Sequence, residues 1–166
     1  MPSLRPSATG FSLPELVITL ILVGVLAAVA LPRFFDVELF RQRGYFDELI
    51  SAVRYAQKAA VGMGCNVRVN ITAGGYSVSR PASEANCAST SAGDFTAFLD
   101  GPAPCSDTAS GATEPHLDCL APAGTTASGT GSTIFQANGT ATAGLTVTVG
   151  ANTFQLHAAT GYVERQ

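Results

Sequence analysis

The side chains that could do chemistry are few, and most fall in one stretch. His116-Leu117-Asp118-Cys119, with Asp107 and Glu114 nearby, carries the donor types of a metal centre. Calcium would need several oxygens converging from an organised loop. Here a solvated acidic loop closed by a disulfide is the expectation, with no metal and no cofactor. His157 alternates with Phe154 and Leu156 and reads as a surface histidine on a strand. With two histidines in the chain and no G-x-S-x-G, a serine triad has no support, and no enzymatic activity is expected. Asn70-Ile71-Thr72 and Asn138-Gly139-Thr140 fit the N-glycosylation triplet, a pattern that also arises by chance.

Two features remain. The four cysteines, Cys65, Cys87, Cys105 and Cys119, lack C-x-x-C spacing. In a chain with an export segment they argue for two disulfides rather than zinc. Three connectivities are open; Cys65–Cys87 and Cys105–Cys119 are favoured because both close short loops, each crosslink being worth about 3 kcal/mol. The other feature is Glu15, at the head of the uncharged run Leu16 to Leu31. A carboxylate at membrane depth costs about 2.5–3.5 kcal/mol unless something pairs with it. Glu15 calls for a partner.

Composition narrows the classes further. Apolar residues make up 46% of the 166 and charged ones only 13%, which excludes charge-driven disorder. Beyond Ala60 the bases are Arg68, Arg80 and Arg165, against seven acids. Nucleic acid, which binds through released counterions, is not an expected partner of so acidic a body.

The apolar run, extended to Pro32, has the length of a short membrane-spanning helix. Two physical readings compete for it. A secretory signal would use Arg5 as its basic region and Ala28-Val29-Ala30 as its cleavage site. A membrane anchor is the other, although Arg33, Arg41 and Arg43 come after the span while only Arg5 precedes it. That charge order opposes the positive-inside rule for an exported body.

A third reading is a resemblance. Gly10-Phe11-Ser12-Leu13-Pro14-Glu15-Leu16-Val17 resembles the processing site of type IV prepilins. The resemblance implies a leader over residues 1–10, cleavage by a prepilin peptidase after Gly10, and N-methylation of Phe11. It also implies that Glu15 meets the amine of a neighbouring subunit, which turns its desolvation cost into an assembly signal. Gly24 and Pro32 would bracket a stretch of helix that loosens inside a filament. Pro14 departs from the aliphatic residue usual there, yet proline is tolerated in a first helical turn.

The elements that must position these residues emerge from periodicity. Phe46, Leu49, Ile50, Val53, Ala56 and Ala60 recur at helical spacing, and Gly62 and Gly64 supply a stop. One N-terminal helix over 11–64 is expected, with its transmembrane part at about 11–32. Phe34, Phe35, Phe40, Tyr45 and Phe46 read as subunit packing, and Arg54 and Lys58 as salt-bridging residues facing a neighbour or solvent. From Cys65 to Thr72 polar and apolar residues alternate strictly, Ala73-Gly74-Gly75 turns, and Tyr76 to Val78 returns. Strands at Ser132–Ala137 and Leu145–Val149 around an Asn138-Gly139 hairpin turn, then Thr153–His157 and Tyr162–Val163, complete the pattern. The fold class is α+β, a long helix packed on an antiparallel sheet head over 65–166. The Ser/Ala/Thr/Gly/Pro-rich stretch at about 81–131 is an insert carrying three cysteines, with a short element near Asp94 to Leu99.

The head also resembles, less specifically, the FimT/GspH group of minor pilins and pseudopilins, and within it the MshC-type minor pilins of MSHA pili. SAVRYAQKAAVGMG before a V-x-V-x-I strand, Gly-Gly-Tyr, and a late F-x-x-N-G carry that likeness. It implies a minor type IV pilin: an inner-membrane precursor with its head in the periplasm, later part of a surface pilus. Other pilins, the peptidase and the inner membrane are the implied partners. A type II secretion pseudopilin and a FimT-like DNA-uptake pilin are the alternatives. The tail, Gly161 to Gln166, has one Arg beside one Glu and disfavours the last.

Overall fold

A computed structural model describes residues 12–34, 37–101 and 117–166, with 28–34 and 37 by backbone alone. The chain divides after Val37 into two compact units.

The first unit holds α1, Leu13–Phe34. The Ser12 carbonyl accepts from the N–H groups of Glu15 (3.1 Å) and Leu16 (3.2 Å), which opens the helix. Pro14 sits in that first turn, where its missing N–H removes no helical bond. The helix continues through Gly24 and past Pro32. Every described side chain of α1, Leu13 to Ala27, is exposed. Among the described residues no helix is long and apolar enough to cross a membrane; the described side chains of α1 stop four residues before the end of the apolar run at Leu31.

The second unit, Glu38–Gln166, is a head built on α2, which runs Val37–Met63 and so begins one residue before it. Its stripe at 3- and 4-residue spacing is buried throughout: Phe46, Leu49, Ile50, Val53, Ala56 and Ala60. Tyr45 and Ala52 are buried beside them. Gly64, at φ +64°, takes the left-handed turn that ends the helix, and the Cys65 N–H returns to the Ala60 carbonyl at 3.2 Å. This six-to-one bond satisfies a terminal carbonyl and delivers Cys65 to the first strand.

Two antiparallel sheets come next, where the sequence reading expected one. The first has the order β3-β2-β1-β6, with β4 also on β2. Its strands are β1 Val67–Thr72, β2 Gly75–Arg80, β3 Ala97–Phe98, β4 Asp118–Leu120 and β6 Gly131–Phe135. The second, β5-β7-β8-β9, joins β5 Ala127–Ser128, β7 Leu145–Val149, β8 Asn152–His157 and β9 Tyr162–Arg165. The inward residues of both sheets, Val67, Val69, Ile71 and Val78 from one and Val147, Val149, Phe154 and Leu156 from the other, share one core with α2. Tyr45 meets Tyr76 of the first sheet at 6.2 Å between ring centroids, and Phe46 meets Phe154 of the second at 5.9 Å. One helix thus covers both sheets, and each such side chain taken from water contributes about 1.5–3 kcal/mol.

Several expectations are corrected. The β1–β2 hairpin pairs Thr72 with Gly75 and the β7–β8 hairpin pairs Val149 with Asn152, as the alternation suggests. The Asn138-Gly139 turn does not join β6 to β7, however. The chain returns along Phe135–Ala141, where Thr142 bonds Ile134, and β7 then leaves for the other sheet. The insert is no structureless loop, since it supplies β3, β4 and β5. Tyr45 and Phe46 serve the head's own core rather than subunit packing. Arg54 makes no salt bridge among the described residues: its Nη2 donates to the Val163 carbonyl at 3.3 Å and ties β9 to α2. Phe34 (by side chain) and Phe35 lie outside the described residues.

Candidate assembly surface

Gly10 and Phe11 fall outside the described residues, so the expected cleavage site is not part of the described geometry. The helix immediately downstream, α1, is described from Leu13. Glu15 stands in the first turn of α1, exposed, and among the described residues nothing pairs with its carboxylate. Below it Leu16, Ile18, Leu20, Ile21 and Val25 are each at least half exposed. The hydroxyl of Thr19 is satisfied within the helix, donating to the Leu16 carbonyl at 2.9 Å. Gly24 has open space where a Cβ would stand. An uncovered apolar helix of this kind is stable only against hydrocarbon or other helices. The arrangement places one acid at the end of one long apolar surface. That suits docking, and among the described residues no catalytic group stands near it.

The head presents a different chemistry. Cys65 and Cys87 form a disulfide with 4.5 Å between Cα atoms. The same corner is held by hydrogen bonds: Asn66 N–H to the Cys87 carbonyl at 2.7 Å, and Asn66 Nδ2 to the Ser89 carbonyl at 2.9 Å. The end of α2 is therefore pinned to the start of the insert. Cys119, buried on β4, is also disulfide-bonded, and Cys105, its expected partner, lies outside the described residues. A disulfide sulfur offers no thiolate, so Cys119 drops out of any metal set drawn around Asp118. His116, Asp107 and Glu114 are likewise outside; among the described residues no cluster of metal-ligating side chains occurs.

One polar group of three stands where α2 meets β2. The Tyr76 hydroxyl donates to Glu48 Oε1 at 2.9 Å. Burial, then the charge of Glu48, raises the Tyr76 phenol well above its ordinary range. Burial and Glu48 also push Tyr45 up to about 12. The Tyr45 hydroxyl is buried, with no hydrogen-bond partner among the described residues. Both phenols stay neutral, so this is a structural cluster rather than an acid–base pair.

The basic side chains near the C-terminus are engaged. Arg165 pairs with Asp47 and lies over the Phe46 ring, 5.5 Å from its centroid. His157 meets Glu164 at 3.0 Å and stacks on Tyr162. Gln57 on α2 donates to the carbonyls of Gly139 (2.8 Å) and Thr160 (3.0 Å), fastening two turns. Sequence reasoning missed Gln57 and Glu48, because a polar residue beside a helical stripe carries no signal of what lies across from it. Phe40, expected to pack between subunits, is 80% exposed on the head.

Neither the curated proteins nor the solved structures compared with the chain match it. A family model does. Residues 46–162, from the buried Phe46 of α2 to Tyr162 of β9, match the family described as "Type II transport protein GspH". That span covers most of the chain and nearly all of the helix-and-two-sheet head. The chain belongs to the GspH family of type II transport proteins, with the α+β fold of a pilin-like subunit.

Proposed function

We propose that the chain is a structural subunit of a membrane-rooted, pilin-like filament, a minor type IV pilin serving the assembly or initiation of a surface pilus of the MSHA kind. The observation that carries this reading is α1: a helix headed by Glu15 whose described side chains are all uncovered. A prepilin peptidase cuts after Gly10, and Phe11 becomes the methylated N-terminus. The precursor spans the inner membrane through residues at about 11–32, with Gly24 and Pro32 loosening the helix when subunits pack. The head faces the periplasm, where the Cys65–Cys87 bridge and a Cys105–Cys119 bridge form in oxidising surroundings. The other partners are pilins, not substrates.

The family match favours a second host, in which the same subunit is a minor pseudopilin of a type II secretion machine. Deleting the gene and scoring surface filaments beside secreted protein separates the two. A DNA-uptake role is disfavoured, since Arg165 is spent on Asp47 and Phe46.

Glu15→Val tests assembly itself. The change removes the cost of burying a carboxylate, so the monomer should remain in the bilayer. It leaves the neighbour's N-terminal ammonium without a counter-charge, and breaking half of a buried pair costs about 3–5 kcal/mol. Mature protein should therefore stay in the membrane fraction and vanish from sheared filaments. Undiminished incorporation would rule out the pairing.

A further inference from the structure

The cations beyond the apolar run oppose the positive-inside rule, and a docked filament subunit leaves them unexplained. Their place in the head suggests what they do. Leu39, Phe40, Arg41 and Arg43 occupy the first turns of α2. At 3.6 residues per turn, Phe40 lies opposite the buried Leu49, and Arg41 and Arg43 flank it on either side. Phe40 is 80% exposed and Leu39 43%, and both arginines are exposed. Among the described residues neither arginine has an ion pair or hydrogen bond, whereas Arg54 and Arg165 are both tied to the head. Five residues separate Phe40 from Phe34, the last residue of α1. That length of chain spans at most about 22 Å.

We propose that Phe40 and Leu39, with Arg41 and Arg43, form an interfacial anchor that seats the first turns of α2 on an anionic phospholipid surface. An aromatic and a leucine fit the boundary between headgroups and acyl chains, and guanidinium groups beside them pair with phosphates. The covalent continuity with an apolar helix favours lipid as the occupant, and the sign of the unpaired charge suits anionic phosphates. A neighbouring head also carries acids, Glu84 among them, so a second copy is the competing outcome of the test. The anchor holds the subunit at the membrane surface before assembly and must be released when it leaves. The proposal rests on the membrane-rooted reading above.

The chain contains no tryptophan, so Phe40→Trp supplies a single fluorescent reporter. The full-length protein is reconstituted into phosphatidylcholine vesicles with and without phosphatidylglycerol. Quenching is then compared between lipids brominated near the headgroup and near the chain end, and between brominated phosphatidylglycerol and brominated phosphatidylcholine. The expected result is stronger quenching from the headgroup-proximal bromines. Brominated phosphatidylglycerol should quench several-fold more than its neutral counterpart, each arginine contributing up to about fivefold preference. That preference should fall to unity in Arg41→Gln/Arg43→Gln and weaken with salt, as the screening length drops to about 3 Å at 1 M. Leu39→Trp reports the same surface should Phe40→Trp disturb the head. A chain that floats with the vesicles but shows no quenching at either position overturns the anchor and leaves the membrane-rooted reading standing. Quenching that disappears at high protein-to-lipid ratio regardless of lipid charge overturns it in favour of a second copy. A chain that does not float at all overturns both.

Discussion

Tyr45 and Tyr76 are the same residue type, 6.2 Å apart, yet their hydroxyls should respond oppositely to removal. The Tyr76 hydroxyl donates to Glu48, and the Tyr45 hydroxyl is buried without a partner among the described residues. A buried polar group left unpaired costs about 1–3 kcal/mol, and a hydrogen bond to a charged group contributes about 1.5–3 kcal/mol. Tyr45→Phe deletes the cost and keeps the ring in place, so it should stabilise the head by about 1 kcal/mol. Tyr76→Phe loses a real bond. Glu48 is exposed enough to recover water, so its loss should sit near the low end, about 1 kcal/mol. The alkaline limb gives a second readout. Burial favours the neutral phenols, so both pKa values lie above the ordinary 10.0. The unfolded chain therefore releases its phenolic protons first. The contribution is fully present below about pH 10 and is lost as pH rises, through about 12 for Tyr45. Urea unfolding of the purified protein, tracked by far-ultraviolet circular dichroism across that range, measures both effects. Tyr45→Phe should raise the midpoint at neutral pH and flatten its alkaline fall. A lowered midpoint for Tyr45→Phe would show that the hydroxyl is bonded and that the reasoning about this cluster fails.

Phe46→Ala empties a site that is 5% exposed and should destabilise the head by about 3–5 kcal/mol, whereas Phe40→Ala should stay within about 0.5 kcal/mol. Thermal unfolding of the two variants side by side checks this, and a loss for Phe46→Ala as small as that for Phe40→Ala would contradict the place of Phe46 in the head's core. A Cβ added at Gly75 would run into the Cys119 carbonyl and stand 3.1 Å from the Leu120 Cα, while Gly74 has open space. Gly75→Ala should therefore cost about 1–3 kcal/mol by urea midpoint and Gly74→Ala next to nothing. Gly10→Leu should leave uncut precursor in the membrane, seen as a slower band, because the peptidase must admit the residue before the cut.

The sequence made α2 and the β1–β2 and β7–β8 hairpins legible because each encodes its partner locally. A stripe at 3.6-residue spacing needs one covering surface, and strict alternation with Gly-rich turns fixes a short antiparallel register. The pairing of Cys65 with Cys87 was within reach for the same reason, being local to one hairpin. The division into two sheets was not. Whether the strand after Asn138-Gly139 closes a hairpin or departs for another sheet depends on Thr142 meeting Ile134, a contact with no periodic mark. The strands of the insert were hidden too, since two- and three-residue strands such as β3 and β5 are held by neighbours rather than by their own propensity. Tyr45 and Phe46 went to the wrong surface because aromatic side chains read alike whether they pack within a head or between heads. The candidate surface is marked in the sequence by Glu15 and the uncharged run beneath it, and the described side chains of α1 are all exposed. The residues that fasten the head, Gln57, Arg54 and Glu48, depend on carbonyls and hydroxyls far away in the chain.

A processed, pilin-like subunit must have a mature chain that starts just before α1. Intact mass and N-terminal sequencing of protein recovered from the membrane test this directly. The expected product begins at Phe11 and carries one N-terminal methyl group, with Glu15 as its fifth residue. A mature protein beginning at Leu31, after the Ala28-Val29-Ala30 motif, would contradict it, for a signal peptidase would then have removed α1's apolar surface together with Glu15.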